Sequence, residues 1–432
     1  MKVYKDLSNA ELKDELLKLK STYDKYKTKG FKLNLSRGKP DSEQISLSRG
    51  MLDILSSETD MTSIEGVDSL NYGEVSGILE AKEFMADILE VNLDEIFVGG
   101  NSSLNLIHDC IGMAYVKGFP NSDKPWCKYD KIKFLCPTPG YDRHFAISEH
   151  YGFELISIPF LEDGPDMDMI EKLVSEDDSI KGMWNVPKYS NPTGITYSDE
   201  TVKRLASLKP KAKDFTIIWD NAYVVHHLEP ENPDVLLPLL DELKRNNNEN
   251  MALLFASTSK VTFPGGGISA VAGSKEMIDF VTKNFAMQTI GFDKINQLRH
   301  VSFFKKTSIE THMARHAKLL RPKFDLVLNV LDKSLGQTGI AKWNKPMGGY
   351  FISLDIPKGC AKRTYDLCKD VGLVLTPAGA TFPYGIDPND ENIRLAPTFA
   401  KTSEIEDAVN ILCVSCKIAA LEKYIRKTEK IK

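Results

Sequence analysis

The chain has 432 residues, of which 42% are hydrophobic, and 55 lysines and arginines stand against 60 aspartates and glutamates for a formal net charge of −5. This slightly acidic balance argues against a nucleic-acid-binding surface, and no run approaches the roughly 18 consecutive apolar residues of a membrane helix. The N-terminal residues lack the pattern of a signal peptide, and seven cysteines in so long a chain suit a reducing compartment. We therefore expect a cytoplasmic protein with neither a nucleic-acid nor a membrane partner.

The middle of the chain alternates apolar, β-branched runs with segments of helical period. These runs are DEIFVGG, KIKFLCPTPG, FELISIPF, IKGMWNVP, FTIIWDNAY, MALLFASTS and ISAVAGS. Strands that are apolar throughout and separated by helices predict a largely parallel sheet covered on both faces. From about residue 305 long amphipathic helices with few strands predict a second, smaller domain. We expect residues 1–55 to be part of the small domain, 56–305 to form the large domain, and 306–432 to complete the small one.

In parallel α/β sheets, ligands bind outside the carboxyl ends of the strands, so the residues that follow each run are informative. The segment Gly99–Ser103 ends a strand and opens a helix, which places free N–H groups and the hydroxyls of Ser102 and Ser103 at a helix N-terminus. An anion, most plausibly phosphate, would bind there. The alternative is a serine N-cap on an ordinary helix. The Walker A and G-x-G-x-x-G motifs do not occur in the sequence.

Two further strand ends carry residues with catalytic potential. Asp220 closes the run FTIIW, where a buried carboxylate needs a partner such as a protonated ring nitrogen, and Tyr223 could present its hydroxyl to the same ligand. Lys260 follows MALLFA among small hydroxyl residues and glycines, a setting in which a lysine of lowered pKa can form a Schiff base. The alternatives are an aspartate that caps a turn and a solvated lysine.

Three other patterns allow a structural and a functional interpretation. Asn191 begins N-P-T-G, which is typical of a turn, and Arg394 lies in an apolar stretch where its planar fork would suit a carboxylate or a structural ion pair. His226 and His227 lack metal-ligand spacing, so we expect no metal.

These motifs occur in a set order along roughly residues 30 to 400: Tyr72, GGNSS, an aromatic residue after a strand, NPTG, D-x-x-Y, S-x-S-K and a late arginine. This order resembles the fold-type I pyridoxal 5′-phosphate (PLP) aminotransferases. The segments LNLSRGKPD, LNYGEVSG, PTPGYDRH, VPKYSNPTG, ASTSKVTFPGGG and TPAGATFPYG are most similar to the bacterial aspartate aminotransferases called class Ic. The resemblance implies an α/β PLP-transferase fold, with a mostly parallel seven-stranded sheet in the large domain and a smaller α+β domain.

The resemblance also implies roles in holding the cofactor. Lys260 would form the Schiff base with PLP, and Ser102, Ser103 and Ser257 would hold its phosphate. Tyr72 is similar to the tyrosine that reaches this phosphate from the neighbouring subunit of a homodimer.

The cofactor ring would be held by a second group of residues. By the same resemblance, Asp220 would pair with the pyridine nitrogen, while Asn191 and Tyr223 would hydrogen-bond the phenolic oxygen. Tyr141 is the candidate that stacks on the ring. One position departs from the pattern, because Gly267 stands where many aminotransferases have a phosphate-binding arginine. The phosphate charge would then be met by the helix N-terminus, hydroxyls and some other cation.

For the substrate, the resemblance implies that Arg394 clamps the α-carboxylate and that Gly38 closes over it. The expected reaction converts L-aspartate and 2-oxoglutarate to oxaloacetate and L-glutamate by ping-pong transamination. A dicarboxylate needs a second cation, for which Arg37, Lys39 and Arg143 are candidates. Transamination of another amino acid, β-elimination, and a non-enzymatic PLP-binding domain of a transcription regulator are the alternatives.

Overall fold

The computed structural model describes residues 3–430 of the chain. The helices are α1 (Asn9–Thr28), α2 (Ser42–Ser46), α3 (Leu79–Leu89), α4 (Ser103–Lys117), α5 (Asp142–His150), α6 (Met167–Glu176), α7 (Asp199–Ala206), α8 (Leu239–Arg245), α9 (Lys275–Gln288), α10 (Lys294–Phe304), α11 (Ile309–Leu335), α12 (Ala361–Asp370) and α13 (Thr402–Lys430). The strands are β1 (Leu33–Asn34), β2 (Ile96–Val98), β3 (Lys133–Thr138), β4 (Glu154–Pro159), β5 (Ile180–Asn185), β6 (Thr216–Asp220), β7 (Ala252–Ser257), β8 (Ser269–Ala272), β9 (Lys342–Trp343), β10 (Ile352–Asp355), β11 (Leu373–Val374) and β12 (Asn392–Leu395).

A seven-stranded sheet in the order β2-β8-β7-β6-β5-β3-β4 forms the centre of the molecule. The strands from β3 to β7 are parallel, whereas β8 runs antiparallel to both of its neighbours. Alternate side chains enter different cores, so that Leu254 packs on one face of β7 and Phe255 on the other. The apolar runs are strands because both of their faces are covered, and the predicted mostly parallel seven-stranded sheet is confirmed.

A smaller α/β region lies beside this sheet. It contains the antiparallel sheet β12-β10-β9 and the parallel pair formed by β1 and β11. Helix α13 packs against α1, α11 and α12, so the beginning and the end of the chain share one core. The Lys323 amine adds a polar link, because it donates to the Asp41 carboxylate at 2.5 Å and to the carbonyls of Thr398 and Ala400 at 2.9 and 2.8 Å.

These contacts join the N-terminal segment to the helices of the smaller region. The boundaries after residues 55 and 305 stay a prediction, and residues 1–2 and 431–432 of the predicted ranges lie outside the described part of the chain. Cys413 and Cys416 are buried in α13, where they pack as small apolar side chains. Between residues 3 and 430, none of the helices is long and apolar enough to cross a membrane.

The sheet brings six strand ends to one edge. The strands from β2 to β7 point the same way and end at Val98, Thr138, Pro159, Asn185, Asp220 and Ser257. Since loops that follow parallel strands meet at the carboxyl edge, segments far apart in sequence come together there. The candidate site lies at this edge.

Candidate active site

A buried carboxylate marks the centre of the site. Asp220, the last residue of β6, is 3% exposed, and its Oδ2 accepts a hydrogen bond from His144 Nε2 at 3.0 Å. The other oxygen, Oδ1, is buried and has no hydrogen-bond partner within residues 3–430. The His144 ring stacks on Trp184, with ring centres 4.6 Å apart, and meets the Tyr141 ring edge-on. A buried oxygen without a donor is costly unless a ligand supplies one.

Lys260 faces the same space from the loop that follows β7. Its side chain is half-buried, and its Nζ lies 4.9 Å from the centre of the Tyr223 ring. Burial lowers the pKa of Lys260, while the negative charge of Asp220 acts in the opposite direction. Because burial disfavours the charged form, a larger fraction of the amine is neutral and able to react.

A neutral histidine, His300, forms hydrogen bonds to two threonines of the Lys260 loop. The Asn296 carbonyl can only accept a hydrogen bond, so His300 Nδ1 carries a proton and donates it at 2.7 Å. His300 Nε2 then accepts from the Thr262 hydroxyl at 2.9 Å, with Thr258 Oγ1 at 3.2 Å. Burial lowers the pKa of His300 to about 4. The loop is therefore fixed by uncharged groups.

The opposite end of the site is rich in hydroxyl groups. Ser102 is the N-cap of α4, its Oγ accepting from the Leu104 N–H at 3.3 Å, so the capping interpretation and the anion interpretation share the same residue. Ser257 Oγ donates to Ser259 Oγ at 3.1 Å, and Ser259 Oγ donates to the Asn101 carbonyl at 3.1 Å. These hydroxyls and the helix N-terminus form a neutral cradle for an anion.

Gly267 lies where this cradle meets the Lys260 loop. A Cβ at this position would lie 3.0 Å from Thr258 Oγ1 and 3.1 Å from the Asn101 carbonyl oxygen. Both distances are shorter than ordinary contacts, so a side chain here would push the two loops apart. The tight packing of the two loops therefore favours glycine at this position, where many aminotransferases have an arginine.

Arg394 on β12 supplies a buried positive charge. It is 8% exposed, and its Nη1 donates to Asp142 Oδ1 at 2.8 Å and to Asn191 Oδ1 at 3.3 Å. Its Cζ lies 5.1 Å from the centre of the Phe351 ring. That ring fits because residue 38 is glycine, since a Cβ on Gly38 would lie 2.1 Å from Phe351 Cζ.

Most of the predicted site residues line one cavity. Its lining consists of Ser102, Ser103, Leu104, Tyr141, Val186, Asn191, Asp220, Ala222, Tyr223, Ser257, Ser259 and Lys260. Arg394 joins this group through its bond to Asn191. The structure thus brings together side chains from five segments that are spread over residues 102–260 of the sequence.

Four predicted residues lie apart from this cavity. Tyr72 is 82% exposed, and Arg37, Lys39 and Arg143 are also exposed. The Lys39 amine lies 4.2 Å from the centre of the Phe399 ring. None of the four lines the cavity within the described residues, so their predicted roles depend on a bound substrate or a second subunit.

Sequence reasoning missed two residues of the site, His144 and Asp142. Both follow Tyr141 in the segment PTPGYDRH, at the start of α5. A signal was available in the sequence, because positions three apart on a helix share a face. His144 follows Tyr141 by three residues and would therefore point to the same side as that tyrosine. The partners of these residues, Asp220 and Arg394, lie 76 and 252 residues away.

The sequence profile of the family described as aspartate amino-transferase matches residues 7–428. The chain belongs to this family. An aspartate aminotransferase of Corynebacterium glutamicum is 42% identical to this chain over 408 residues, which cover 94% of each protein. The crystal structure of an aspartate transaminase from Corynebacterium glutamicum matches with a TM-score of 0.95 and 39% identity, over 98% of this chain and 99% of that one.

A more distant structure shows the breadth of the fold. An α-aminoadipate aminotransferase from Thermus thermophilus has a TM-score of 0.73 at 20% identity, over 96% of each chain. The predicted membership in the fold-type I PLP aminotransferases is confirmed by the family match and the close relatives, and the chain is an aminotransferase.

Proposed function

We propose that this aminotransferase binds PLP in the cavity at the carboxyl edge of the sheet and transfers the amino group of L-aspartate to 2-oxoglutarate. The observation that carries the proposal is Asp220 Oδ1, which has no hydrogen-bond partner among residues 3–430 and lies in the same cavity as Lys260. A ligand with a protonated ring nitrogen and an aldehyde would satisfy both groups. The Thermus thermophilus aminotransferase of the same fold was solved with a phosphopyridoxyl-leucine compound, which supports this choice of cofactor.

The residues present fit the cofactor. Asp220 Oδ1 would accept from the ring nitrogen, Lys260 would hold the aldehyde carbon, and Asn191 and Tyr223 would hydrogen-bond the phenolic oxygen. Tyr141 would lie against the ring. The hydroxyls of Ser102, Ser103 and Ser257, together with the N-terminus of α4, would hold the phosphate. PLP bound there supplies an electron-accepting ring.

The protein provides proton transfer and charge stabilisation. Lys260 Nζ takes the proton from the substrate Cα, because burial keeps part of the amine neutral. Asp220 remains an acceptor because His144 donates to its second oxygen and fixes its orientation. Arg394 binds the α-carboxylate and thereby sets the Cα–H bond toward Lys260. The two half-reactions use the same groups, so the kinetics should be ping-pong.

The preference for a dicarboxylate rests on the relative that is 42% identical and is an aspartate aminotransferase. Of the three candidate cations, Arg143 has structural support. Burial raises the pKa of Tyr141 to about 12, and the positive charges of Arg394 and Arg143 both oppose this rise. Arg143 is exposed and does not line the cavity, but it directly follows Asp142, which is bonded to Arg394, whereas Lys39 lies against Phe399. We propose Arg143 as the partner of the distal carboxylate, with Arg37 and Lys39 as the other candidates.

A substrate panel tests this function. The ratio kcat/KM should be measured for aspartate, alanine and phenylalanine in the unmodified enzyme and in Arg143→Ala, Arg37→Ala and Lys39→Ala. We expect Arg143→Ala to lose roughly tenfold or more for aspartate alone, the effect of one charge-assisted hydrogen bond. If no variant selectively loses the dicarboxylate, the aspartate assignment is wrong. Release of ammonia instead of amino transfer would indicate the β-elimination alternative.

We also propose a homodimer with shared active sites. Tyr72 is 82% exposed near an exposed Leu70. Met287, in the last turn of α9, and Ile290, between α9 and α10, are also exposed. The Lys294 amine joins these two segments, because it donates to the carbonyls of Asn71 and Gly73 at 2.7 and 2.9 Å. Large exposed apolar side chains of this kind mark a protein interface. A cytoplasmic location also stays part of the proposal.

Subunit mixing tests the sharing of sites. Lys260→Ala and Tyr72→Ala subunits should each have low activity alone. After the two are mixed, unfolded and refolded together, a hybrid dimer would contain one site with both residues intact, and about a quarter of the activity should return. If mixing restores nothing while ultracentrifugation shows hybrid dimers, Tyr72 does not serve the neighbouring subunit.

A further inference from the structure

A carboxylate of the protein already occupies the proposed substrate clamp. Asp142 Oδ1 accepts from Arg394 Nη1 at 2.8 Å, a distance typical of a strong ion pair. The remaining donors of this guanidinium are less well satisfied. Nη2 reaches Thr376 Oγ1 only at 3.4 Å, and Nε is buried without a hydrogen-bond partner in residues 3–430. Arg394 is thus held by one carboxylate oxygen and retains donors for a second carboxylate.

We propose that Asp142 holds the place of the substrate α-carboxylate on Arg394 and opposes the binding of every carboxylate ligand until it moves aside. The inference rests on the proposed role of Arg394. A substrate carboxylate that binds the guanidinium with two hydrogen bonds must either replace Asp142 on Nη1 or lie beside it. Two carboxylates on one guanidinium repel each other, so Asp142 weakens binding in both cases.

The position of Asp142 allows it to leave. It is the first residue of α5, and its side chain is 36% exposed, whereas that of Arg394 is 9% exposed. Rotation about its side-chain bonds would move the carboxylate into water. Its charge stays favourable there, because the N-terminus of a helix stabilises a negative side chain in the first turn. Arg394 has no such freedom, since Asn191 and Phe351 contact it on other sides.

The ion pair with Asp142 would stabilise Arg394 when no substrate is bound, but it would lower the affinity for carboxylate ligands. Without Asp142, the buried guanidinium would lack an anion whenever the site holds no substrate, which is unfavourable. With Asp142, the positive charge is paired at all times, and ligand binding becomes an exchange of one carboxylate for another. Asp142 therefore raises KM for all α-carboxylate substrates by a common factor. It leaves kcat unchanged, because its carboxylate is displaced from Arg394 to the same extent in the substrate complex and in the transition state.

The test is ligand affinity in Asp142→Asn, measured on the holoenzyme. The dissociation constants of succinate and propanoate can be followed through the visible absorbance of the cofactor, so the measurement does not depend on turnover. We expect both ligands to bind roughly tenfold more tightly, since a charge-assisted competitor is replaced by a weaker neutral one. KM for the amino acid should fall by the same factor, with kcat unchanged. Asp199→Asn is the matched control, because Asp199 is the exposed first residue of α7 and makes the same change in net charge.

The outcomes separate this proposal from the role of Arg394. Unchanged or weaker binding in Asp142→Asn overturns the proposal, since an aspartate that only orients Arg394 would lose affinity when replaced. Arg394→Ala tests the underlying assignment. If that variant binds both carboxylates normally, the clamp itself is misassigned. If it loses binding, Asp142→Asn added to Arg394→Ala should have no further effect, and an equal tightening in both backgrounds would also refute the proposal.

Discussion

The two cations of the candidate site, Lys260 and Arg394, have opposite surroundings. The Lys260 amine lies against the Tyr223 ring, and its loop is fixed by hydroxyls and a neutral histidine. Arg394 forms an ion pair with Asp142 and a hydrogen bond to Asn191. Burial lowers the pKa of the amine. Among the described residues the Lys260 amine forms no ion pair, although Asp220 lines the same cavity and raises its pKa, whereas Arg394 forms one. This difference suits the proposed roles, in which the amine must lose its proton to react and the guanidinium must stay charged to bind.

The largest effect should come from Lys260→Ala. Loss of the amine removes both the covalent attachment and the proton carrier, so we expect turnover to fall by at least about 10⁴-fold and the yellow absorbance of the holoenzyme to disappear. The protein should still fold, as judged by circular dichroism. Lys188→Ala is a suitable control. Lys188 is 8% exposed, and burial lowers its pKa as it does that of Lys260, but it lines a separate cavity of about 390 Å³. Retained activity in Lys260→Ala would disprove the catalytic assignment.

Asp220→Asn should have the next largest effect. The amide cannot stabilise a protonated ring nitrogen as a carboxylate does, and we expect kcat to fall by about 10²- to 10³-fold, as for other preorganised electrostatic groups. KM should change little because Arg394 is intact. Steady-state kinetics with aspartate would measure this. A fall in kcat of less than tenfold would mean that the free Oδ1 is not a cofactor ligand.

The neutral histidine on the lysine side predicts an acid-sensitive fold. The pKa of His300 is about 4 in the folded protein and about 6.5 when unfolded. Between these values the unfolded chain binds more protons than the folded protein, so the free energy of unfolding increases with pH. As pH falls from about 6.5 to 4, protonation of the unfolded chain at His300 lowers the free energy of unfolding. This histidine alone should account for up to roughly 3 kcal/mol. Urea denaturation should show a shallower pH dependence for His300→Gln. An unchanged slope would contradict the neutral assignment.

Arg394→Lys should have a smaller effect of a different kind. The ammonium keeps the charge but loses the planar fork, so we expect KM for aspartate to rise by roughly 30-fold while the cofactor absorbance stays unchanged. The contrast with Lys260→Ala is the useful result. If Arg394→Lys changes the cofactor absorbance, Arg394 affects the cofactor as well as the substrate, and the proposed division of roles between Lys260 and Arg394 is wrong.

The sequence predicted the central sheet because strands that are covered on both faces must be apolar throughout. It did not predict the direction of β8, since an apolar strand has the same composition in either orientation. The two-residue strands β1, β9 and β11 are too short to show a pattern, and each forms only because its partner strand lies beside it.

The site was predictable where chemistry follows a strand end. Asp220 and Lys260 could be found because a charged residue directly after an apolar run is unusual. The bonds of His144 and Asp142 were not predictable, because they depend on how α5 is rotated against β6 and β12. That rotation is set by packing on Trp184 and by the turn at Tyr141, which no local pattern encodes.

The contact between α1 and α13, together with the pairing of β1 with β11, has a consequence for how the molecule is made. During synthesis α1 emerges hundreds of residues before α13, so its apolar side stays uncovered until that helix has been made. The central sheet can assemble in the meantime, because its strands all lie between residues 96 and 272. Strand β12, which carries Arg394, follows every strand of that sheet in the chain, so the proposed carboxylate-binding arginine is added after the sheet can have assembled.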